Sequence, residues 1–292
     1  MSHIPVLLNE VIEFLNPRKN ENFIDCTLGA GGHAKEILSY TKPNGKLLGI
    51  DLDEDTIKLV KKNLSEFGKR VIFHKGNFAN LLEIIREYDF KAHGILLDLG
   101  MSSMQITQTG KGFSFRKNEL LDMRFGNSRT TAHEIINKYS EKRLGEIFKN
   151  YGDEPAFKEI AKAIFEKRQD QEIKTTKDLV HIIVQTKLHC KYRGRKTHLH
   201  PATRVFQSLR IAVNDEINNL IKVLPQAVSV LAKNGRLAVI SFHSKEDRIV
   251  KNFFRYSNGL EILTKKPIQP SMDEIRKNTR SRSAKLRAVK KI

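Results

Sequence analysis

The sequence predicts an α/β protein built on a parallel sheet, with an all-helical segment spliced into it. Three observations carry this. Residues 1–105 alternate short apolar runs with segments of helical periodicity, residues 131–188 show helical periodicity alone, and the alternation returns at 201. The expected division is a discontinuous sheet domain, 1–105 with 200–292, and a helical insertion, 106–199, expected to recognise a nucleic acid.

The elements follow in order. Val6 to Leu15 has helical spacing ahead of Pro17. A strand at 23–28 leads into glycines and a helix near 33–40. Pro43-Asn44-Gly45 is a turn signal before strand 46–51, and Ile57, Val60 and Leu64 share one face of a helix near 54–67. Strand 70–74, helix 79–88 and strand 93–99 complete the first half. The last, Gly94-Ile95-Leu96-Leu97-Asp98-Leu99, is an apolar run suited to a parallel strand covered on both faces. Four helices are expected near 131–138, 141–150, 155–168 and 176–187, the last opened by Thr175 and Asp178 as a cap pair. One long amphipathic helix is expected to carry Val205, Leu209, Val213, Ile217 and Leu224. Strand 236–242, a helix 245–256 capped by Ser244, and strands near 260–265 and 284–290 close the chain.

Phe23-Ile24-Asp25-Cys26-Thr27-Leu28-Gly29-Ala30-Gly31-Gly32-His33 is the most informative run. A strand ending in an acid opens into three glycines before a helix, where a side chain would hold a ligand away from the backbone. About twenty residues on, the next strand ends in Asp51, a carboxylate placed to accept ribose hydroxyls. Together these indicate a nucleoside cofactor. The loop alone fits a nicotinamide dinucleotide as well as S-adenosylmethionine. Phe78, after the third strand, can pack on a purine or serve the core.

Asp98-Leu99-Gly100-Met101-Ser102-Ser103 places a carboxylate and hydroxyls, Asp98 and Ser102 foremost, at the carboxyl edge where open α/β sheets bind ligands. Acceptors there suit chemistry at an exocyclic amine, whose hydrogens must be held while its nitrogen turns to an electrophile. No hydride-transfer constellation stands beside the loop, which weighs against an oxidoreductase.

The 292 residues carry a formal charge of +19, an excess that suits a polyanionic partner, nucleic acid first. No acid occurs between Asp178 and Asp215, while Lys187, Lys191, Arg193, Arg195, Lys196, Arg204 and Arg210 do, with Tyr192 among them. The tail after Glu274 is also acid-free. A non-catalytic RNA-binding factor would share these runs but has no use for an intact cofactor loop. His189, Cys190, His198 and His200 fit no common zinc spacing, so no metal is expected. Cys26 is expected as a buried thiol. His243 follows the strand ending at 242 and suits either a turn or a substrate contact. Without a signal sequence or a long apolar run, a cytoplasmic protein free of the membrane is expected.

Asp25 to His33, Gly94 to Gly100, Gly112-Phe113-Ser114-Phe115, Leu121-Asp122-Met123-Arg124, His200 to Gln207 and Ser241-Phe242-His243-Ser244 occur in the order seen in one family. The chain resembles the bacterial ribosomal RNA small subunit methyltransferase H family, also called MraW, nearly end to end. The resemblance implies a Rossmann-like class I fold with a helical insertion. It implies S-adenosylmethionine as cofactor and N4-methylation of a cytidine in the decoding centre of 16S rRNA, within the small ribosomal subunit. It assigns Gly31, Gly32 and His33 to the methionine portion, Asp51 to the ribose, Phe78 and Asp98 to the adenine side, and Gln105 to closing the pocket. Met101 and Met104 depart from the family's usual valine and proline.

Overall fold

The computed structural model describes residues 4–100, 110–126, 128–189 and 200–292. Contacts divide it into two compact units, Met1–Ser102 with Ile217–Ile292, and Ser103–Glu216.

Among the described residues the first unit holds seven strands: β1 (Phe23–Asp25), β2 (Leu47–Asp51), β3 (Val71–Lys75), β4 (Ala92–Asp98), β5 (Leu231–Ser241), β6 (Leu260–Ile262) and β7 (Lys285–Lys291). They form one sheet in the order β3-β2-β1-β4-β5-β7-β6. The first five are parallel, and β7 runs antiparallel between β5 and β6. Side chains alternate between faces, so successive strand residues enter opposite cores. Phe23, Leu47 and Leu96 pack with Val11, Ala34, Ile37 and Val60. Ile24, Leu48, Ile95 and Leu97 pack with Leu81, Leu224, Val250 and Phe254. The helices supplying those partners are α1 (Leu8–Leu15), α2 (Gly32–Tyr40) and α3 (Glu54–Asn63) on one face. On the other are α4 (Leu81–Tyr88) and two later helices, Glu216–Val230 and Ser244–Tyr256. Cys26 is buried, as expected. A short helix, Met272–Lys277, precedes β7.

The second unit is helical: α5 (Ala132–Lys138), α6 (Glu141–Gly152), α7 (Phe157–Asp170), α8 (Thr176–His189) and α9 (Thr203–Asn214). Its core joins Leu144, Phe148, Ile160, Ile164, Leu179, Ile183, Val205 and Leu209. Local chemistry fixes the starts. Thr131 and Glu134 form a reciprocal capping box at α5. Thr175 and Asp178 do the same at α8: Thr175 N and Oγ1 donate to Asp178 Oδ2 at 2.9 and 2.8 Å, and Asp178 N donates back to Thr175 Oγ1 at 3.3 Å.

Two expectations change. The long helix through Val205 and Leu224 is two helices, α9 and α10 (Glu216–Val230), broken where Asp215 adopts φ 51°. Both halves are amphipathic, so periodicity did not mark the break. Val205, Leu209 and Val213 belong to the helical core, while Leu220, Val223 and Leu224 pack on the sheet. The chain therefore re-enters the sheet unit at Ile217 and not at 200. The second change concerns α11 (Ser244–Tyr256), which is capped by His243 and not Ser244. His243 Nδ1 accepts the Glu246 N–H, and Glu246 Oε2 accepts the N–H groups of Phe242 and His243 at 2.8 and 3.2 Å.

Candidate active site

Parallel register brings the carboxyl ends of β1, β2 and β4 to one edge, and each ends in an acid: Asp25, Asp51 and Asp98. Thr27 ties two of them together. Its N–H donates to Asp25 Oδ1 at 3.0 Å, and its hydroxyl accepts the Asp98 N–H at 2.6 Å. Asp51 gathers the glycine loop: Oδ2 accepts the Gly29 N–H at 3.0 Å and Oδ1 the Asp53 N–H at 2.9 Å. The Leu52 N–H also bonds this carboxylate, which with about four acceptor sites keeps capacity for a further donor.

His33 lies in the first turn of α2 and is buried. Its Nε2 faces the Val6 carbonyl at 2.9 Å. A carbonyl only accepts, so Nε2 donates and the neutral ring keeps its lone pair on Nδ1. That nitrogen lies 3.8 Å from Asp98 Oδ2, too far for a hydrogen bond. Asp25 is the charge His33 feels most, although Asp98 is the carboxylate its open nitrogen faces.

Burial dominates the electrostatics. It pushes the Asp98 carboxyl up to about 7, against the Gly100 N–H and helped by the Glu246 charge. It pushes Asp25 up to about 6, against His33 and the Thr27 N–H. It raises Asp51 and lowers His33. The edge is thus a row of carboxylates in want of donors or positive charge.

The glycines do something other than clear space for a ligand. The side-chain direction of Gly31 (φ 81°) is filled by Val60 of α3, and that of Gly32 by Pro5. Glycine is required at both because the loop packs against protein. At Gly29 (φ 50°) the direction is open, with Thr27 O the nearest atom at 3.7 Å.

Asp98, Asp51, His33, Gly31 and Gly32 thus share the carboxyl edge or its loop. Phe78 opens a short 3-10 helix, Phe78–Asn80, after β3, with its half-buried ring against the core. Ser102, Gln105, Met101 and Met104 lie outside the described residues. Sequence reasoning named Asp25 as a strand end and passed over Thr27. The signal was available in an acid and a hydroxyl two residues apart at a strand-to-loop junction.

The acid-free stretches of the sequence are not acid-free in space. Lys187 pairs with the buried Glu154 at 2.7 Å, and Arg210 forms a two-pronged pair with Glu216 at 2.8 and 2.9 Å. Arg204 donates to the Asp153 carbonyl. In the tail, Arg287 and Lys285 share Asp247 and Lys290 pairs with Glu261. His189 bonds within its own helix and His200 stacks on Phe115 at 4.5 Å. Cys190, Lys191, Tyr192, Arg193, Arg195, Lys196 and His198 lie outside the described residues.

A sheet ordered 3-2-1-4-5-7-6 with only its seventh strand reversed, a glycine loop after β1 and an acid closing β2 define a class I methyltransferase. The MraW methylase family model matches residues 1–292, and the chain belongs to that family. Among curated relatives, the ribosomal RNA small subunit methyltransferase H of Dehalococcoides mccartyi is 44% identical, covering 99% of this chain and 86% of its own. Its counterpart in Clostridium botulinum is 43% identical, covering 99% of both chains, and that of Thermotoga neapolitana 44%, covering 98% and 95%. The chain is an S-adenosylmethionine-dependent methyltransferase.

The residues present suit that cofactor. Its sulfonium and ammonium would offer positive charge to buried carboxylates that lack it, and its ribose hydroxyls would suit the remaining acceptor capacity of Asp51.

Two expectations follow. Gly31→Ala meets both a positive φ and Val60, whereas Gly29→Ala meets only the φ. Gly31→Ala should therefore lose about 1–3 kcal/mol more stability in chemical denaturation. Equal losses would remove the packing role. Asp98 has a folded-state value raised from 3.8 to about 7, so the folded chain holds a proton that the unfolded chain has lost. Stability then falls as pH rises through that window. In thermal melts of cofactor-free protein, Asp98→Asn should exceed wild type above about pH 7, with the gap closing towards about pH 4. A gap independent of pH would contradict the assignment.

Proposed function

We propose that the protein methylates the exocyclic N4 of a cytidine in the decoding centre of small-subunit ribosomal RNA. The observation that carries this is the acceptor-rich edge around Asp98, in a chain whose relatives are named for small-subunit ribosomal RNA. The net charge of +19 supports a polyanionic substrate.

When bound, S-adenosylmethionine supplies a methyl group already activated by its sulfonium. The chain's own task is to hold and orient. The amine of cytosine is a poor nucleophile because its lone pair is delocalised into the ring. An acceptor on its hydrogens favours the geometry in which that pair turns outward. Asp98 has acceptor oxygens at the carboxyl edge, and Thr27 fixes the backbone of Asp98 by taking its N–H. Asp51, Gly31, Gly32 and His33 are assigned to holding the cofactor, with Phe78, Asp98 and Gln105 on the side of its base. Ser102 is assigned a supporting contact to the substrate. The target base must leave any stack to reach the methyl group. The helical unit, residues 103–216, and the loop at 189–198 are assigned to gripping the RNA.

Asp98→Ala should abolish methyl transfer to small-subunit rRNA while the protein still melts cooperatively. Nucleoside mass analysis of the RNA checks both the loss and the product. N4-methylcytidine at a single position with wild-type enzyme is expected. Wild-type activity in Asp98→Ala would remove Asp98 from the chemistry, and methylation of another base would overturn the substrate assignment.

A further inference from the structure

On the edge of the sheet opposite the carboxylates lies a cleft of about 310 Å³. It is built where β4 and β5 begin and β7 ends, beside the carboxyl end of α1 and the chain leading into β1. Arg18, Lys233, Arg236 and Lys290 line it, with His93 between them and Glu21 as the one acid.

These cations are not equally engaged. Lys290 pairs with Glu261 at 2.8 Å. Arg236 donates to the Phe14 carbonyl at 2.9 Å, so it offsets the negative end of α1. An Oε2 of Glu21 accepts the Arg18 N–H at 2.9 Å and serves the turn. Among the described residues, the exposed side chains of Arg18 and Lys233 have neither an acidic nor a hydrogen-bond partner. His93 Nδ1 accepts the Asn22 N–H at 3.1 Å, so Nε2 carries the ring's hydrogen and is a further donor.

Pairing has consumed most described cations of the basic stretches, yet this cleft retains a surplus. Its only apolar side chain is Leu15, so it lacks the apolar centre that a protein partner would need. It has no aromatic platform beyond His93 for stacking a base. Clustered donors with one apolar side chain and no Phe, Tyr or Trp beside them match phosphate, which positions a nucleic acid without reading its sequence. From His93 to Asp98 the strand rises about 16 Å. The cleft is therefore separate from the reacting edge.

We propose that this cleft is a phosphodiester-binding subsite that holds the backbone of the RNA substrate away from the methylated nucleotide. The proposal rests on the rRNA methyltransferase reading above. Arg18 and Lys233 make the phosphate contacts, and Arg236, Lys290 and His93 set the surrounding potential.

The test is Arg18→Ala with Lys233→Ala in the full chain, with small-subunit rRNA transcript as probe across a KCl series. Two lost contacts to single-stranded backbone should reduce the slope of log K against log salt by about 1.4. KM for the RNA should rise with kcat, melting temperature and cofactor affinity unchanged. An unchanged slope and KM would overturn the subsite. Loss of binding to assembled small subunits but not to the transcript would also overturn it, in favour of a protein contact. The broader reading fails by a different result, namely wild-type protein that methylates no rRNA.

Discussion

The burial of charge at one edge of the sheet is the constraint on which the rest depends. A parallel sheet ends all its central strands at the same place, and here β1, β2 and β4 each end in a carboxylate. Asp25 is only 1% exposed, and it shares this edge with Asp98 and a buried histidine. The fold offers these groups some backbone N–H donors and the Thr27 bridge, but among the described residues no guanidinium or ammonium group pairs with them. Burial raises their proton affinities, and the donors present offset it only in part. A cofactor carrying positive centres would supply that charge, and we propose that burial at this edge serves cofactor binding.

The glycine loop takes a different meaning from this arrangement. Gly31 and Gly32 let the loop lie against Val60 and Pro5, and Asp51 draws the Gly29 N–H inward. The loop is held by protein contacts before any ligand arrives. Its backbone is preorganised, so little ordering remains for the cofactor to impose.

Much of this was legible in the sequence, and the reasons are local. Buried strands such as Gly94–Asp98 announce themselves as apolar runs, and Thr175 with Asp178 announces a helix start. The helix break at Asp215 was not legible, because α9 and α10 are each amphipathic and their different cores are set by tertiary contacts. The cap at α11 fell to His243 because its ring nitrogen reaches the Glu246 N–H as a serine oxygen would. The partners of the basic runs were the least legible. Sequence distance hid Glu154 and Asp247, which fold back onto Lys187 and Arg287, while Glu216, just past the end of its run, turns back to Arg210. The cleft at Arg18 and Lys233 was invisible because its cations come from segments far apart in the chain.

The central claim is that the carboxylates of this edge are held for a cationic cofactor. Calorimetric titration of S-adenosylmethionine between pH 5.5 and 7, in buffers of different ionisation enthalpy, tests it directly. Asp25 at about 6 and Asp98 at about 7 are partly protonated in the free protein. Binding should then release protons, and affinity should rise with pH by up to about tenfold per unit for each proton released. Affinity that is flat across this range, with no proton release, would contradict the account.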